Sequence, residues 1–234
     1  MDRYDWLLEA LGRGYEEIGL LKEGPRGTIR LIRHQKTGKR FILRRFTGSA
    51  EVYEKLLHYT CEHLPQTFEV ASRGEEHLVL EEYIQGDTLD LLLKSGPCSP
   101  RETRRIARQL CQALWALHAL GAVHRDVKPE NIILRGQEAV LIDFDAARVY
   151  KPERQSDTQV LGTTGFAAPE QYGLSQTDGR ADIYAMGILI NVMRTGQHPS
   201  RKLAPGHLGR VVERCTQVMP QKRYPNVLRL MEAL

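Results

Sequence analysis

The order of strand and helix signals along the chain constrains its fold more than any other feature of the sequence. Up to about Gly86, short runs rich in β-branched and aromatic residues alternate with polar turns, a pattern that predicts strands. Beyond Gly86 the apolar residues recur at helical spacing. One apolar face, within residues 100–120, consists of Ile106, Leu110, Ala113, Leu114 and Leu117. The sequence therefore predicts an α+β fold with a mainly helical second part.

Five strands are predicted in the first part of the chain, in a small antiparallel sheet. They cover Tyr15 to Lys22, Thr28 to His34, Arg40 to Phe46, Phe68 to Ala71 and His77 to Tyr83. One helix beside this sheet is predicted over Ala50 to Cys61 from its apolar spacing. A short amphipathic helix, Asp5 to Leu11, is predicted ahead of the first strand.

Length and charge exclude several classes of protein. A chain of 234 residues suits one domain, or one domain of two lobes. The net charge of +4 is scattered rather than gathered into a basic stripe with aromatic residues, so nucleic-acid binding is not expected. The four cysteines form no C-x-x-C pair, which disfavours a zinc site and disulfides alike.

Neither a signal peptide nor a membrane span is expected. The first residues are charged and lack an uninterrupted apolar stretch. The longest apolar run, Ala185 to Ile190, is far shorter than the ~20 residues of a membrane helix. The sequence therefore predicts a cytoplasmic protein with reduced thiols.

The segment 124–131 reads His-Arg-Asp-Val-Lys-Pro-Glu-Asn and resembles the catalytic loop of protein kinases at every defining position. Transfer of a γ-phosphoryl group needs a carboxylate that orients the acceptor hydroxyl, a cation near the transferred group and an oxygen ligand for Mg²⁺. The resemblance implies that Asp126, Lys128 and Asn131 supply these groups in that order. For His124 it implies a structural role.

A second match follows the predicted strand Ala139 to Ile142. The residues Asp143-Phe144-Asp145 resemble the family's Asp-Phe-Gly, which implies that Asp143 is the principal Mg²⁺ ligand, beside Asn131. Asp145 departs from the family glycine. Because glycine alone visits some backbone angles readily, we expect this exchange to restrict movement of the segment rather than to impair metal binding.

Three positions resemble structural anchors of the family, and with them the resemblance runs from about Leu20 to Arg223. Glu170 closes the Ala-Pro-Glu that ends the activation segment, and Asp182 opens the helix that anchors the catalytic loop. The resemblance implies that Arg223 pairs with Glu170. The chain between Gly187 and Arg223 is shorter than usual, so the helix that commonly docks protein substrates is expected to be reduced or missing.

The phosphate-covering pattern GxGxxGxV aligns with residues 22–29 and is incomplete. Gly24, Gly27 and Ile29 match, whereas Lys22 stands at the first glycine and Arg26 at the usual aromatic tip. The resemblance implies that the hairpin backbone at the two glycines approaches the nucleotide phosphates.

The phosphate-binding lysine of the family is replaced here by Arg44, in Phe-Ile-Leu-Arg where Val-Ala-Ile-Lys is usual. Strand alternation places Ile42 and Arg44 on one face, towards nucleotide. By its distance from the turn that follows, Glu54 is the expected ion-pair glutamate, with Glu51 as the alternative. We expect Arg44 to hold the α- and β-phosphates of ATP while pairing with Glu54.

The match to the adenine-binding hinge covers Glu82 to Ile84, whose backbone groups bind adenine in the family. Glu81 then occupies the gatekeeper position, which is usually apolar or threonine. A carboxylate there is costly unless it is paired. Arg44 and the neighbours of the helix glutamate are the candidate partners.

The resemblance implies a bilobal protein-kinase fold with an N-lobe of about 1–81, a hinge of about 82–88 and a C-lobe of about 89–234. The implied function is transfer of the γ-phosphate of ATP, with Mg²⁺, to serine or threonine of protein substrates. Departures from the family at Lys22, Arg44, Glu81 and Asp145 favour an alternative, a pseudokinase that binds nucleotide or acts as a scaffold. A small-molecule phosphotransferase is disfavoured by the peptide-positioning segment before Glu170.

Control by phosphorylation is also expected, because the family uses the arginine before the catalytic aspartate to bind a phosphorylated activation loop. Here that residue is Arg125, and the candidates for the phosphate are Ser156 and Thr158. Arg148 and Arg154 are possible additional partners of that phosphate. Thr163 and Thr164 are weaker candidates because they are nearer the substrate platform.

Overall fold

The strand signals in the first third of the chain produce one antiparallel sheet of five strands, in the order β1-β2-β3-β5-β4. The structure, a computed structural model, describes residues 2–150, 163–172 and 177–234. The strands of the sheet are β1 (Tyr15–Gly24), β2 (Gly27–His34), β3 (Arg40–Thr47), β4 (Thr67–Arg73) and β5 (Glu76–Glu82). Each confirms a predicted strand, with ends displaced by at most two residues.

Two helices accompany this sheet. Helix α1 (Arg3–Gly14) is longer than predicted, is capped by Asp2 and packs the buried side chains of Tyr4, Leu7 and Leu11 against the sheet. Helix α2 (Glu51–Leu56) is much shorter than the predicted segment 50–61.

The early end of α2 has a physical cause. Leu57 and Cys61, which completed the predicted apolar stripe, are only half-buried. Because the amide of Tyr59 bonds to the carbonyl of Leu56, the chain turns there instead of continuing the helix. Burial of one face, rather than propensity, stabilises most helices, and that face is incomplete beyond Leu56.

The remainder of the chain is mainly helical. The helices are α3 (Leu89–Leu93), α4 (Pro100–Ala119), α5 (Gly179–Thr195), α6 (His207–Cys215) and α7 (Val227–Glu232), with 3₁₀ turns at Pro129–Asn131, Pro169–Tyr172 and Pro220–Lys222. Helix α4 starts at a capping box of Ser99 and Glu102 with Pro100 in its first turn. The whole predicted apolar face of α4 is buried.

Short strands flank the segments that carry the chemistry. These are β6 (Asp87–Thr88), β7 (Ala122–Val123), β8 (Ile132–Arg135), β9 (Glu138–Leu141) and β10 (Arg148–Val149). β7 leads into the segment 124–131 and β8 leads out of it, while β9 pairs with β8 and ends before Asp143. The pairing fixes both candidate segments at neighbouring strand ends.

The chain divides into two compact units. The first comprises the described residues up to Cys61 together with Pro65–Ile84, and the second comprises Glu62–Leu64 and the described residues from Gln85 onwards. The lobe boundaries drawn from the sequence remain a prediction. In the described part of the chain, no helix combines the length and apolar character that crossing a bilayer requires.

Candidate active site

Asp182, near the start of α5, anchors the first residues of the segment 124–131. Its carboxylate accepts hydrogen bonds from the amides of His124, at 3.0 Å, and Arg125, at 2.8 Å, and lies 2.8 Å from His118 Nε2. Burial raises the pKa of Asp182, but His118 and the amide donors outweigh it, so the pKa lies below its ordinary value. The carboxylate remains charged inside the second unit, and the predicted anchoring role is confirmed.

The same contact stabilises an unusual backbone conformation. Arg125 has φ +69°, a region that non-glycine residues seldom adopt. The bond from its amide to Asp182 holds this turn in place. His124 beside it is fully buried, and burial lowers its pKa, so its imidazole is neutral and structural, as expected.

Asp126 is the centre of a hydrogen-bonded cluster. Lys128 Nζ lies 2.8 Å from Asp126 Oδ2, and Asn131 Nδ2 donates to the same oxygen at 2.9 Å. Thr163 Oγ donates to Asp126 Oδ1 at 2.7 Å and accepts from Lys128 Nζ at 2.6 Å. The structure thus brings together all three predicted catalytic residues, with Thr163 added.

The charge of Asp126 is set by these neighbours. Partial burial raises its pKa, but the hydrogen bonds from Lys128 and Thr163 lower it further than burial raises it, so the pKa is below its ordinary value. Asp126 is therefore an ionised acceptor at neutral pH. From the sequence, Thr163 was predicted only as a weaker phosphorylation site. Its position shortly before Ala-Pro-Glu could have indicated the contact with Asp126.

Asn131 and Asp143 supply oxygen ligands of the kind that Mg²⁺ prefers. Asn131 uses its Nδ2 for bonds to the carbonyl and the carboxylate of Asp126, so its Oδ1 is the atom it presents to a cation. The amide of Ile142 bonds to the carbonyl of Asn131 at 2.8 Å, which fixes Asp143 one residue further along. A carboxylate and an amide oxygen fit a hard divalent cation.

Asp145 does not need the backbone freedom of the glycine it replaces. In the described part of the chain, the two non-glycine residues with positive φ are Arg125 and Asp143, so Asp145 has an ordinary φ. Its amide donates to Asp143 Oδ1 at 3.3 Å. The side chain of Asp145 is therefore compatible with this conformation of the segment.

Glu170 and Arg223 form the predicted ion pair. The guanidinium binds both carboxylate oxygens, at 2.6 and 2.8 Å, and both residues are buried. Arg223 also donates to the carbonyls of Arg180, Gln217 and Val218. One side chain thus ties the end of the activation segment to two other stretches of the second unit, at Arg180 and at Gln217 and Val218.

The glycines of the predicted phosphate-covering loop close a tight hairpin. Gly24 pairs with Gly27 across the turn of Pro25 and Arg26. Gly27 has φ +151°, and a Cβ there would lie 2.0 Å from the carbonyl oxygen of Arg45. The sheet itself therefore demands glycine at 27, while Gly24 faces open space, and nucleotide binding at both positions stays a prediction.

The structure describes a buried ion pair of Arg44 with Glu81, one of the pairings considered for the gatekeeper carboxylate, while pairing of Arg44 with Glu54 or Glu51 stays a prediction. Arg44 Nε donates to Glu81 Oε1 at 2.5 Å, whereas Glu54, chosen from the sequence, is exposed and Glu51 is half-buried. The reason lies in the sheet, because β3 and β5 are direct neighbours and Ile42 is opposite Glu81. Arg44 is thus a cationic partner for the buried carboxylate of Glu81 at the gatekeeper position.

The other predicted nucleotide contacts lie in the first unit. Ile29 is the cross-strand neighbour of Arg44. Glu82 is held at the end of β5, where its amide donates to the carbonyl of Gln66 at 2.8 Å and its carboxylate accepts from the Gln66 amide. Ile84 is buried. The roles of Ile29, Ile42, Glu82 and Ile84 in binding adenine and phosphates remain predictions.

The expectation that a substrate-docking helix between Gly187 and Arg223 is reduced or missing stays a prediction, and this stretch contains the end of α5 and the nine-residue helix α6. The described residues 196–206 form turns and extended chain but no helix. Buried Asn191 holds this loop, donating to the carbonyls of Gln197 and Lys202 and accepting from the amide of Ala204, each at 2.8 Å. Ser156, Thr158 and Arg154 lie outside the described residues.

Asp126, Lys128 and Asn131 are held on one loop, with the hydroxyl of Thr163 bound to the Asp126 carboxylate, which is the arrangement expected of a protein-kinase catalytic loop. A family model for the protein kinase domain matches residues 15–229. The chain belongs to the protein kinase family, which confirms the family and the fold expected from the sequence.

Curated relatives come from several bacteria. The chain is 29% identical to serine/threonine-protein kinase pkn2 of Myxococcus xanthus over 79% of its own length and 22% of that protein. It is 34% identical to PknB of Mycolicibacterium smegmatis, covering 67% of the chain and 26% of PknB. Serine/threonine-protein kinase D of Synechocystis is 29% identical over the whole chain and 52% of that protein. The chain thus spans between about one fifth and one half of the length of these relatives.

Proposed function

We propose that the chain transfers the γ-phosphate of ATP to serine or threonine of protein substrates. The observation that carries this proposal is the cluster around Asp126, in which the hydroxyl of Thr163 donates to Asp126 Oδ1 at 2.7 Å. An acceptor hydroxyl needs the same kind of contact with the base. Names of the relatives, all serine/threonine-protein kinases, support the same acceptor class.

On the acceptor side, Asp126 orients the substrate hydroxyl and takes up its proton at a carboxylate oxygen. The lowered pKa keeps that carboxylate ionised at neutral pH. Lys128, within 2.8 Å of Asp126, places a positive charge beside the atoms where negative charge develops. These groups act mainly by position and charge, which is what phosphoryl transfer requires of a protein.

On the nucleotide side, we assign ATP to the residues that match the family. These are Gly24, Gly27, Ile29, Ile42, Arg44, Glu54, Glu82 and Ile84. Asn131 and Asp143 would hold Mg²⁺, which when bound neutralises charge on the phosphates. Their amide and carboxylate oxygens suit that ion.

An open groove beside the catalytic loop supports a peptide as acceptor. It has a volume of about 690 Å³ and is lined near the loop by Pro129, Glu130, Gly165 and Phe166. Val192 of α5 and His198 of the loop after α5 also line it. Because it lies directly beside the loop that carries Asp126, we assign this groove to the acceptor segment of a protein substrate.

Incubation of the purified protein with labelled ATP, Mg²⁺ and generic protein substrates tests the proposal. We expect label on serine or threonine of protein. Binding of ATP without transfer would support the pseudokinase alternative. That alternative is based on the departures from the family at Lys22, Arg44, Glu81 and Asp145. Label on a small molecule alone would assign a different acceptor class.

We further propose that the activation segment is autophosphorylated at Ser156 or Thr158. A phosphate there would gain charge-assisted hydrogen bonds from Arg125, which directly precedes the catalytic base. After incubation with Mg-ATP, intact mass is expected to rise by one phosphate, and the Asp126→Asn protein is the matched control without transfer. No added phosphate, or one whose removal leaves activity unchanged, would reject this form of control.

A further inference from the structure

A row of arginines lies on the outer face of helix α4, in the second unit. Arg101, Arg105 and Arg108 follow one another at spacings of four and three residues, which places them on one side of the helix. Arg104 lies beside them, one turn before Arg108. Arg101 and Arg108 are exposed, and Arg104 and Arg105 are half-buried. The first part of the helix therefore presents a cluster of positive charge.

This arrangement is unfavourable for the helix by itself. Like charges three or four residues apart repel, and positive charge near a helix N-terminus opposes the helix dipole. In the described part of the chain, no ion pair joins Arg101, Arg104 or Arg108 to a carboxylate. The adjacent acidic residue, Glu102, takes part in the capping box at the start of the helix. A local arrangement that costs stability is expected where a sequence serves a function.

The arginines border a groove of about 520 Å³. Its lining comes from α4, from β9 and from the segment 62–63, all of which belong to the second unit. The lining residues are Glu62, His63, Arg101, Arg105, Arg108, Gln109, Gln112 and Glu138. The groove is therefore polar, with a basic wall on the helix and two glutamates on the other wall.

Hydrogen bonds hold the two walls of the groove together. Gln109 Oε1 accepts from the amide of Ala139 at 3.0 Å, and its Nε2 donates to the carbonyl of Gln137 at 3.3 Å. The guanidinium of Arg105 donates to the same carbonyl. His63 Nδ1 lies 3.0 Å from the carbonyl oxygen of Ala139. The groove is therefore preorganised, which lowers the cost of binding a partner.

Positive charge predominates in the lining. Glu138 forms an ion pair with Arg135 at 3.2 Å, so Glu62 is set against three arginines of α4. The complementary partner is therefore anionic. A continuous phosphate backbone would also meet both glutamates of the opposite wall, and repulsion of like charges disfavours that contact. Separate carboxylates on a peptide can meet the arginines and avoid the glutamates.

The spacing of the arginines sets the spacing of the partner's acidic groups. Arg101 and Arg108 are separated by two helical turns, or about 10 Å at 1.5 Å per residue. An extended chain covers about 10 Å in three residues. Trp115, two turns beyond Arg108 on the same face, is exposed. It extends this face with a residue type that is common at protein interfaces.

We propose that the groove beside α4 binds an extended acidic segment of a partner protein. Carboxylates three residues apart on that segment meet Arg101 and Arg108, while Arg105 holds the wall and adds its charge. The lining shares no residue with the catalytic loop or with the groove assigned to the acceptor. The groove beside α4 is therefore an additional interaction surface, and the proposal does not depend on phosphoryl transfer.

Fluorescence anisotropy tests the proposal with a labelled peptide that carries aspartate at every third position, separated by serine and glycine. We expect the Kd for this peptide to rise about 3- to 30-fold when Arg101→Gln and Arg108→Gln are combined, as for loss of two exposed ion pairs. Lys202→Gln with Arg210→Gln is the matched control. It removes the same charge at exposed positions outside the groove and should leave the Kd unchanged.

Thermal unfolding separates this role from a structural one. Removal of like charges near the start of a helix should leave Tm unchanged or raise it. We therefore expect the variant with Arg101→Gln and Arg108→Gln to bind the peptide more weakly at an equal or higher Tm. A lower Tm with an unchanged Kd would show that the two arginines are structural and would overturn the proposal.

Absence of peptide binding by the wild-type protein, or an equal rise of the Kd in the control variant, would also overturn it. An oligonucleotide of the same charge is the competing probe. If it displaced the peptide at an equal or lower concentration, the groove would be a nucleic-acid site and the proposal would be wrong. Binding is measured without ATP, so failure of the proposed phosphoryl transfer is distinguishable from failure of this inference.

Discussion

Asp126→Asn is expected to abolish phosphoryl transfer, with a loss of about 10²- to 10⁴-fold or more from removal of the base. Asparagine has nearly the same size as aspartate but cannot accept the proton of an acceptor hydroxyl. It also removes the negative partner of Lys128, which lies 2.8 Å away. Nucleotide affinity should change little, because Asp126 is assigned to the acceptor rather than to ATP. The measurements are the rate of label transfer and the Kd for Mg-ATP.

Asp143→Asn provides the contrast for this experiment. We expect it to weaken binding of Mg-ATP, since the replaced carboxylate is the assigned metal ligand. If Asp126→Asn lowers the rate of transfer and Asp143→Asn raises the Kd for Mg-ATP, the residue that acts on the acceptor is separated from the residue that binds the metal. Transfer at the wild-type rate by Asp126→Asn would contradict the kinase assignment.

The pH dependence of the reaction gives a check on the same residue. Because hydrogen bonds from Lys128 and Thr163 hold the pKa of Asp126 below its ordinary value, its protonation should not limit activity above about pH 4. For the same reason the stability that these bonds contribute is present above the unfolded pKa and is lost as pH falls through the folded pKa.

Arg223→Met is expected to cause the largest loss of stability, about 3–5 kcal/mol in the free energy of unfolding. The variant leaves Glu170 buried without its bidentate partner. It also removes the donors for three backbone carbonyls. Unpaired buried charges and carbonyls each carry a desolvation penalty that water cannot relieve. Urea unfolding measures the difference.

Arg229→Met is the control for that experiment. Arg229 pairs with Glu232 at 2.6 Å, but both side chains are more than half exposed. A solvated pair of this kind contributes little, so the midpoint of unfolding should be unchanged. Similar losses in both variants would show that burial of the Glu170–Arg223 pair is not what makes it important.

The sequence by itself determined the family, the strands and the catalytic cluster. The segment 124–131 carries Asp126, Lys128 and Asn131 within six positions, so a local turn suffices to bring them together. The five strands were readable because alternation and polar turns are local signals. Glu170 and Arg223 are 53 residues apart and were paired only through the resemblance, since no local signal connects them.

Only the tertiary structure decided what surrounds these residues. Whether α2 extends beyond Leu56 depends on burial of Leu57 and Cys61, which sequence spacing does not report. The hydroxyl of Thr163 reaches Asp126 across 37 positions of sequence. Glu81 pairs with Arg44 because sheet order makes β3 and β5 neighbours and their register puts both side chains on one face. Distance along the chain does not report this contact, because electrostatic pairing in a buried site follows distance in space, and pairing with Glu54 stays a prediction.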